Sequence, residues 1–152
     1  MGLIDFVRSA GERIFGSGAA AAATSDEAVL SKRATALEDH VRSLGLPVDD
    51  LKIKVADETA HVKGKVTTQE LREKVVLAVG NVEGIGKVDD RLEVVTPQPE
   101  ARYYTVAKGD TLSKIAKQHY GDANKYPQIF EANTPMLKHP DKIYPGQVLR
   151  IP

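Results

Sequence analysis

Apolar residues in the first fifteen positions recur at intervals of three and four. Leu3, Phe6, Val7, Ala10 and Ile14 share one side of a helical projection, and charged residues fill the other side. This spacing predicts a short N-terminal amphipathic helix that packs on the domain that follows. A membrane-surface helix is the alternative, which acidic residues at positions 5 and 12 disfavour.

The pattern changes twice between residues 25 and 96. Helical spacing of apolar residues continues up to Gly45, which predicts a long first helix. Strict alternation over 51–66 then predicts a hairpin of two strands that turns at Asp57 and Glu58.

A second helix and a final strand complete this unit. Thr67 or Thr68 is predicted to cap a helix over 69–79, and an alternating run over 88–95 predicts the last strand. The order αββαβ describes a small sheet with helices on one face.

A proline-containing segment without large apolar side chains separates this unit from a second one with the order βααβ. In the second unit, Tyr126 and Tyr144 are expected in the core. The sequence therefore predicts an α+β chain of two small domains, divided into an N-terminal helix and linker over 1–24, a first domain over 25–96, a linker over 97–102 and a second domain over 103–152.

The two halves carry opposite net charges. Residues 1–96 hold 13 basic and 16 acidic groups, whereas residues 97–152 hold 8 basic and 5 acidic groups, so attraction between them is expected. Over the whole chain the 21 basic and 21 acidic groups balance, which disfavours nucleic acid as a partner. The absence of Cys excludes disulfides, thiolate metal sites and cysteine nucleophiles.

Neither catalysis nor membrane insertion is indicated. The four His lie in different segments, without a zinc-binding pair or a recognisable triad, so the chain is not expected to be an enzyme. No stretch approaches the roughly 20 apolar residues of a membrane span, and the charged opening is unlike a secretory signal. We therefore expect a cytoplasmic protein without a transmembrane segment.

Motifs in the second unit carry a family resemblance. They are V-x-x-G-D-T-L at 106–112, I-A at 115–116 and the closing I-x-P-G-Q-x-L-x-I-P. The segment 103–152 resembles the LysM domain, and such modules bind glycans that contain N-acetylglucosamine, such as peptidoglycan. The resemblance implies a groove between two loops, formed by Gly109, Asp110, Thr111, Leu112, Pro140, Asp141, Lys142 and Ile143. The first loop also has a purely structural interpretation, as a turn and a helix cap.

The first unit is similar to a BON domain in V-K-G-K-V at 62–66 and V-x-G-I-G-K-V-D-D-R-L at 82–92. BON domains usually touch phospholipid or belong to envelope proteins. With its MGLxxFVxxAGE start, the whole chain resembles the bacterial cytoplasmic potassium-binding proteins that join one BON domain to one LysM domain. The resemblance implies a monomer that binds potassium selectively and changes conformation, as a sensor or a buffer.

The residues suit potassium in one respect. Proteins select this ion with neutral carbonyl oxygens, and the last carbonyls of a helix lack partners within the helix. The glycine-rich loop GNVEGIG follows such a helix end. The resemblance together with this argument predicts a metal site made by the carbonyls of Val7, Ala10, Gly80, Val82 and Ile85. Alternatively, these glycines only make a tight connection.

Three other partners are weighed against potassium. Calcium or magnesium at Asp89 and Asp90 is disfavoured, because neighbouring side chains on a strand point to opposite faces. A peptidoglycan fragment would occupy the groove of the LysM-like unit. Phospholipid would bind through the amphipathic start.

Overall fold

The computed structural model describes residues 2–7, 10–11, 14–15 and 27–152. Its elements, in chain order, are β1 (Gly2–Asp5), α1 (Glu27–Ser43), β2 (Asp49–Ala56), β3 (Thr59–Thr68), α2 (Gln69–Gly80), β4 (Lys87–Thr96), β5 (Arg102–Thr105), α3 (Leu112–Tyr120), α4 (Tyr126–Ala132) and β6 (Val148–Ile151). The predicted α+β class is confirmed. Within the part that the structure describes, no helix combines the length and the apolar character that crossing a bilayer requires.

The first domain is built on a four-stranded sheet in the order β1-β4-β3-β2. Strands β2 and β3 form the predicted antiparallel hairpin, and β3 runs parallel to β4 because α2 connects them by a crossover. Every second residue of β2 is buried, starting with Leu51 and ending with Val55. One face of the sheet therefore packs under α1 and α2.

Helix α2 positions the residues at its two ends. The Oγ1 of Thr68 accepts a hydrogen bond from the backbone N–H of Leu71 at 3.2 Å, so Thr68 is the cap and Thr67 is not. Val75, Val76 and Val79 are fully buried in the core of this domain. The helix ends at Gly80, and the backbone N–H of Asn81 donates to the carbonyl of Leu77.

The predicted N-terminal amphipathic helix is wrong for the described residues. Residues 2–5 form β1, which pairs antiparallel with the start of β4 and places Leu3 opposite Asp89. Ile4 and Phe6 pack against the core while Leu3 and Val7 are exposed, which is the alternation of a strand. Pairing with a free sheet edge outweighs helical spacing here, because a short helix is marginal on its own. The membrane-surface alternative depended on that helix, and the predicted linker over 16–24 lies outside the described residues.

The second domain places α3 and α4 on the two-stranded sheet β5-β6. Its core contains Ile115, Ile129 and Leu149. Tyr126 is exposed, contrary to expectation, and Tyr144 is half-buried. The tyrosines that pack against this core are instead Tyr104 and Tyr120.

A buried carboxylate joins the two domains. Glu73, on α2, is 1% exposed, and its Oε1 lies 2.7 Å from Nε of Arg150 on β6. Its Oε2 accepts from the backbone N–H of Ala101 in the linker at 2.8 Å. Opposite charges thus meet across the junction, in agreement with the opposite net charges of the two halves.

Replacing Glu73 should destabilise the whole chain. Glu73→Ala leaves the Arg150 guanidinium, whose side chain is 12% exposed, without its charge partner, a change that typically costs about 3–5 kcal/mol. Thermal unfolding should show a clearly lower melting temperature. In the control, Glu70→Ala removes the ion pair with Lys74 on the same helix, in which the Glu70 side chain is 51% exposed. Such pairs contribute at most about 1 kcal/mol. Equal losses in the two variants would contradict the role given to Glu73.

Candidate functional site

Three backbone segments meet at the carboxyl end of α2, beginning with the segment that follows β1. The backbone N–H of Phe6 donates to the carbonyl of Gly86 at 2.9 Å, which continues the pairing of β1. The ring of Phe6 lies against Gly80, where an added Cβ would be only 2.1 Å from the ring. A side chain at position 80 is therefore incompatible with the position of this ring.

Gly11 makes an equally close approach to the loop that follows α2. Gly11 has a φ of +116°, and a Cβ placed on it would be 2.6 Å from the carbonyl carbon and oxygen of Asn81. Glycine meets both demands, since it tolerates this φ and has no side chain. The segment containing Ala10 therefore touches the loop after α2, as the predicted metal site requires.

The five predicted carbonyls belong to these two neighbouring segments. The carbonyl of Val7 accepts from the N–H of Ala10, and that of Val82 accepts from the N–H of Ile85, each at 3.0 Å. Within the described residues, no backbone N–H is bonded to the carbonyls of Ala10, Gly80 or Ile85. A carbonyl oxygen has two lone pairs, so even the bonded carbonyls of Val7 and Val82 retain acceptor capacity.

Burial makes this location suitable for ion coordination. All residues from 81 to 86 are buried, and Val82 and Ile85 are 0% exposed. A carbonyl dipole acts more strongly on an ion in such a low-dielectric environment than in water. Gly80 also ends α2, where the helix dipole is negative. The arrangement is chemically suited to a weakly hydrated monovalent cation.

The second domain also contacts the segment that contains Val7 and Ala10. A Cβ on Gly146, in the turn before β6, would lie 2.7 Å from Cβ of Ala10 and 3.3 Å from Cβ of Val7. Two of the predicted ligand residues are therefore contacted by a turn of the other domain. The sequence did not indicate this contact.

The acidic residues of β4 have separate basic partners. The Oδ2 of Asp89 lies 2.8 Å from Nδ1 of His61, whereas Asp90 pairs with Arg72 at 2.7 Å. The hydrogen bond with His61 is the main cause that lowers the pKa of Asp89. Among the described residues, no group of three or more His, Cys, Asp and Glu is arranged to hold a metal.

The residues of the alternative glycan groove lie on two loops. In the first loop, Asp110 accepts from the Tyr104 hydroxyl and from the Ala107 N–H, two hydrogen bonds that hold the pKa of its carboxyl below its usual range. Thr111 caps α3. Gly109 and Thr111 are exposed, whereas Leu112 is 2% exposed and belongs to the core.

The second loop contains both exposed residues and a residue that packs on the core. Asp141 and Lys142 are exposed, and Ile143 packs on the core that contains Leu112. Both loops are therefore anchored to one core.

Sequence reasoning missed the polar residues that join the domains. The sequence placed Asn81 only in the loop GNVEGIG. In the structure its side-chain amide bonds to β6: Nδ2 donates to the carbonyl oxygen of Val148 at 2.8 Å, and Oδ1 accepts from the backbone N–H of Val148 at 2.8 Å. For Glu73, the sequence indicated only a charged residue on a helix. An asparagine that follows a helix is usually interpreted as a cap, so only the tertiary structure separates the two roles.

Comparison with known proteins covers the whole chain. Residues 25–96 match the BON domain family, and residues 104–152 match the LysM domain family. The chain is 48% identical over 153 aligned positions to the potassium binding protein Kbp of Escherichia coli, with 100% of this chain and 99% of that protein covered. Shorter matches are an uncharacterized protein of Deinococcus radiodurans (53% identical, 32% of this chain, 19% of that protein) and an esterase of Mycobacterium tuberculosis (47% identical, 35% of this chain, 11% of that protein).

The contact between Phe6 and Gly80 can be tested with a double-mutant cycle. Alanine is a better helix former than glycine by roughly 0.5–1 kcal/mol, so Gly80→Ala should stabilise α2 unless the ring of Phe6 is in the way. We expect a net loss of about 1–3 kcal/mol from overpacking, measured by chemical denaturation. In a Phe6→Ala background the same substitution should become neutral or stabilising. The same loss in both backgrounds would show that the ring does not occupy this position.

Proposed function

Because the chain belongs to the family of the potassium binding protein Kbp, we propose that it binds potassium through backbone carbonyls of the BON domain and of the segment after β1. The observation that carries the proposal is that Val7, Ala10 and Gly11 lie close to the end of α2, where Gly11 meets the loop 80–85. Val7, Ala10, Gly80, Val82 and Ile85 are the proposed ligands. We propose a sensor or buffer that acts as a cytoplasmic monomer and becomes more compact when it binds the ion.

The chemistry of the donors supports potassium over a divalent ion. Carbonyl oxygens are neutral, so they replace the water shell of a monovalent cation without the charge that calcium sites supply through carboxylates. Glu83 is the acidic residue within the loop. The carboxylates of Asp89 and Asp90 are engaged with basic side chains on β3 and α2.

The proposal predicts ion-specific stabilisation. Thermal unfolding and small-angle scattering are compared in sodium and potassium chloride, both at about 0.15 M so that generic screening is equal. A potassium concentration a hundred times the dissociation constant would add about 2.7 kcal/mol to the free energy of unfolding. The radius of gyration should fall in potassium only. Identical melting curves and radii in the two salts would refute potassium binding.

A pair of glycine variants tests the location of the ion. Gly11→Ala and Gly45→Ala both place a Cβ at positive φ, +116° and +73°, which costs roughly 1–2 kcal/mol in either salt. Only Gly11 faces Asn81, since nothing lies within 4 Å of a Cβ at Gly45. We expect Gly11→Ala to lose the potassium-dependent rise in melting temperature and Gly45→Ala to keep it. A retained rise in Gly11→Ala would place the ion elsewhere.

Glycan binding is a second candidate, supported by the match of residues 104–152 to the LysM family and by the two exposed loops at Gly109–Thr111 and Asp141–Lys142. It predicts that the protein sediments with insoluble peptidoglycan equally well in sodium and in potassium. Replacing Lys142 by Glu changes an exposed side chain of the second loop and should reduce the bound fraction, whereas the same change at the exposed Lys52 of the BON sheet should not. No sedimentation of the unmodified chain would argue against this candidate.

A further inference from the structure

The strand β6 has a free edge whose peptide groups need partners. The backbone N–H of Val106 donates to the carbonyl of Gln147, and the N–H of Gly146 donates to the carbonyl of Val106, each at 2.8 Å. Antiparallel pairing of β5 with β6 continues from there. In such a ladder alternate residues face the partner strand. The N–H and C=O groups of Val148 and Arg150 therefore point away from β5.

Two asparagine side chains take the place of a third strand at this edge. Asn133, within the LysM domain, bonds to both peptide groups of Arg150, at 2.7 Å from its nitrogen and 3.0 Å from its oxygen. Asn81, from the BON domain, bonds to both groups of Val148 at 2.8 Å. A carboxamide offers a donor and an acceptor, as a peptide group does. One of these two equivalent contacts holds a domain together and the other joins two domains.

The position of Asn81 connects this contact to the proposed ion site. Asn81 stands between Gly80 and Val82, and its own carbonyl is approached by Gly11. On the other side of the site, Gly146 packs on Val7 and Ala10 only two residues before Val148. Both ligand segments therefore touch the segment 146–148 of the LysM domain.

We propose that Asn81 is the positioning residue that couples the ion site to LysM docking. This inference rests on the proposed function, because it concerns the same ion site. When the carbonyls of Gly80 and Val82 are held by an ion, the Asn81 side chain is fixed in the orientation that pairs with Val148. When the loop relaxes, the amide loses this orientation and β6 separates from α2. By linkage, docking must favour ion binding by the same factor by which the ion favours docking.

Backbone amide exchange gives a direct test in the unaltered full chain. The Val148 N–H is protected by Asn81 and the Arg150 N–H by Asn133, so one strand carries both the probe and its control. Exchange of both is measured by NMR in sodium and in potassium chloride at equal ionic strength. We expect potassium to slow exchange at Val148 by about tenfold or more relative to Arg150, within the usual range of allosteric coupling.

A variant pair tests the reciprocal effect. Asn81→Ala removes both hydrogen bonds to Val148 but keeps the backbone N–H that ends α2. Its apparent dissociation constant for potassium, from the dependence of melting temperature on potassium concentration, should rise about tenfold. Tyr120→Phe is the control, since it removes a hydrogen bond to the carbonyl of Pro152 inside the LysM domain and should leave potassium affinity unchanged.

The outcomes separate this inference from the proposed function. If potassium raises the melting temperature but Val148 and Arg150 respond alike and Asn81→Ala binds potassium as the unaltered chain does, the coupling is wrong and the ion site stands. If the unaltered chain does not distinguish potassium from sodium, both proposals fail. If Asn81→Ala does not fold, the exchange data on the unaltered chain still decide.

Discussion

The arrangement at the end of α2 depends on three glycines, which have no side chain to prevent a close approach. Gly80 admits the ring of Phe6, Gly11 admits the peptide of Asn81, and Gly146 admits Ala10. Each contact brings backbone within a distance that any Cβ would prevent. The consequence is a junction at which the backbones of three segments, one of them the buried loop 81–86, come into close contact. The proposed ligands Val7, Ala10, Gly80, Val82 and Ile85 are all apolar or glycine, so such a site leaves little trace in composition.

The two domains have separate apolar cores, and oriented polar contacts join them alongside apolar ones. The clusters around Val76 and around Ile115 share no residue. Between them lie the Glu73–Arg150 pair and the amide of Asn81, both of which depend on orientation. An apolar interface tolerates small displacements, whereas bonds of this type are made or lost over about an ångström. These orientation-dependent contacts therefore suit domains that separate and rejoin, as inter-domain interfaces often do.

The local sequence pattern predicted most of the secondary structure but not the contacts between the two domains. The alternation in β2 and β3 and the threonine cap of α2, predicted at Thr67 or Thr68, are properties of neighbouring residues, and the sequence shows them directly. The helix prediction for the opening segment was wrong. Its apolar spacing fits a helix, but pairing with the otherwise free edge of β4 determines its structure. The bonds of Asn81 and Glu73 to β6 join residues that are distant in the chain, so no local periodicity records them. The carbonyl set of the proposed ion site came from a family resemblance combined with the helix-end argument, and the structure adds the glycine contacts that bring its two segments together.

The pairing of β1 with β4 has a consequence for the order of folding. β1 is made first, but its partner is the last strand of the BON sheet, so the two meet only after the whole domain has been synthesised. Closing so long a loop is entropically costly, and local contacts such as the β2–β3 hairpin form sooner. The segment with Val7 and Ala10 follows β1 and must arrive with it. The chain is therefore expected to assemble its sheet core first and to complete the proposed ion site as one of the final steps of folding.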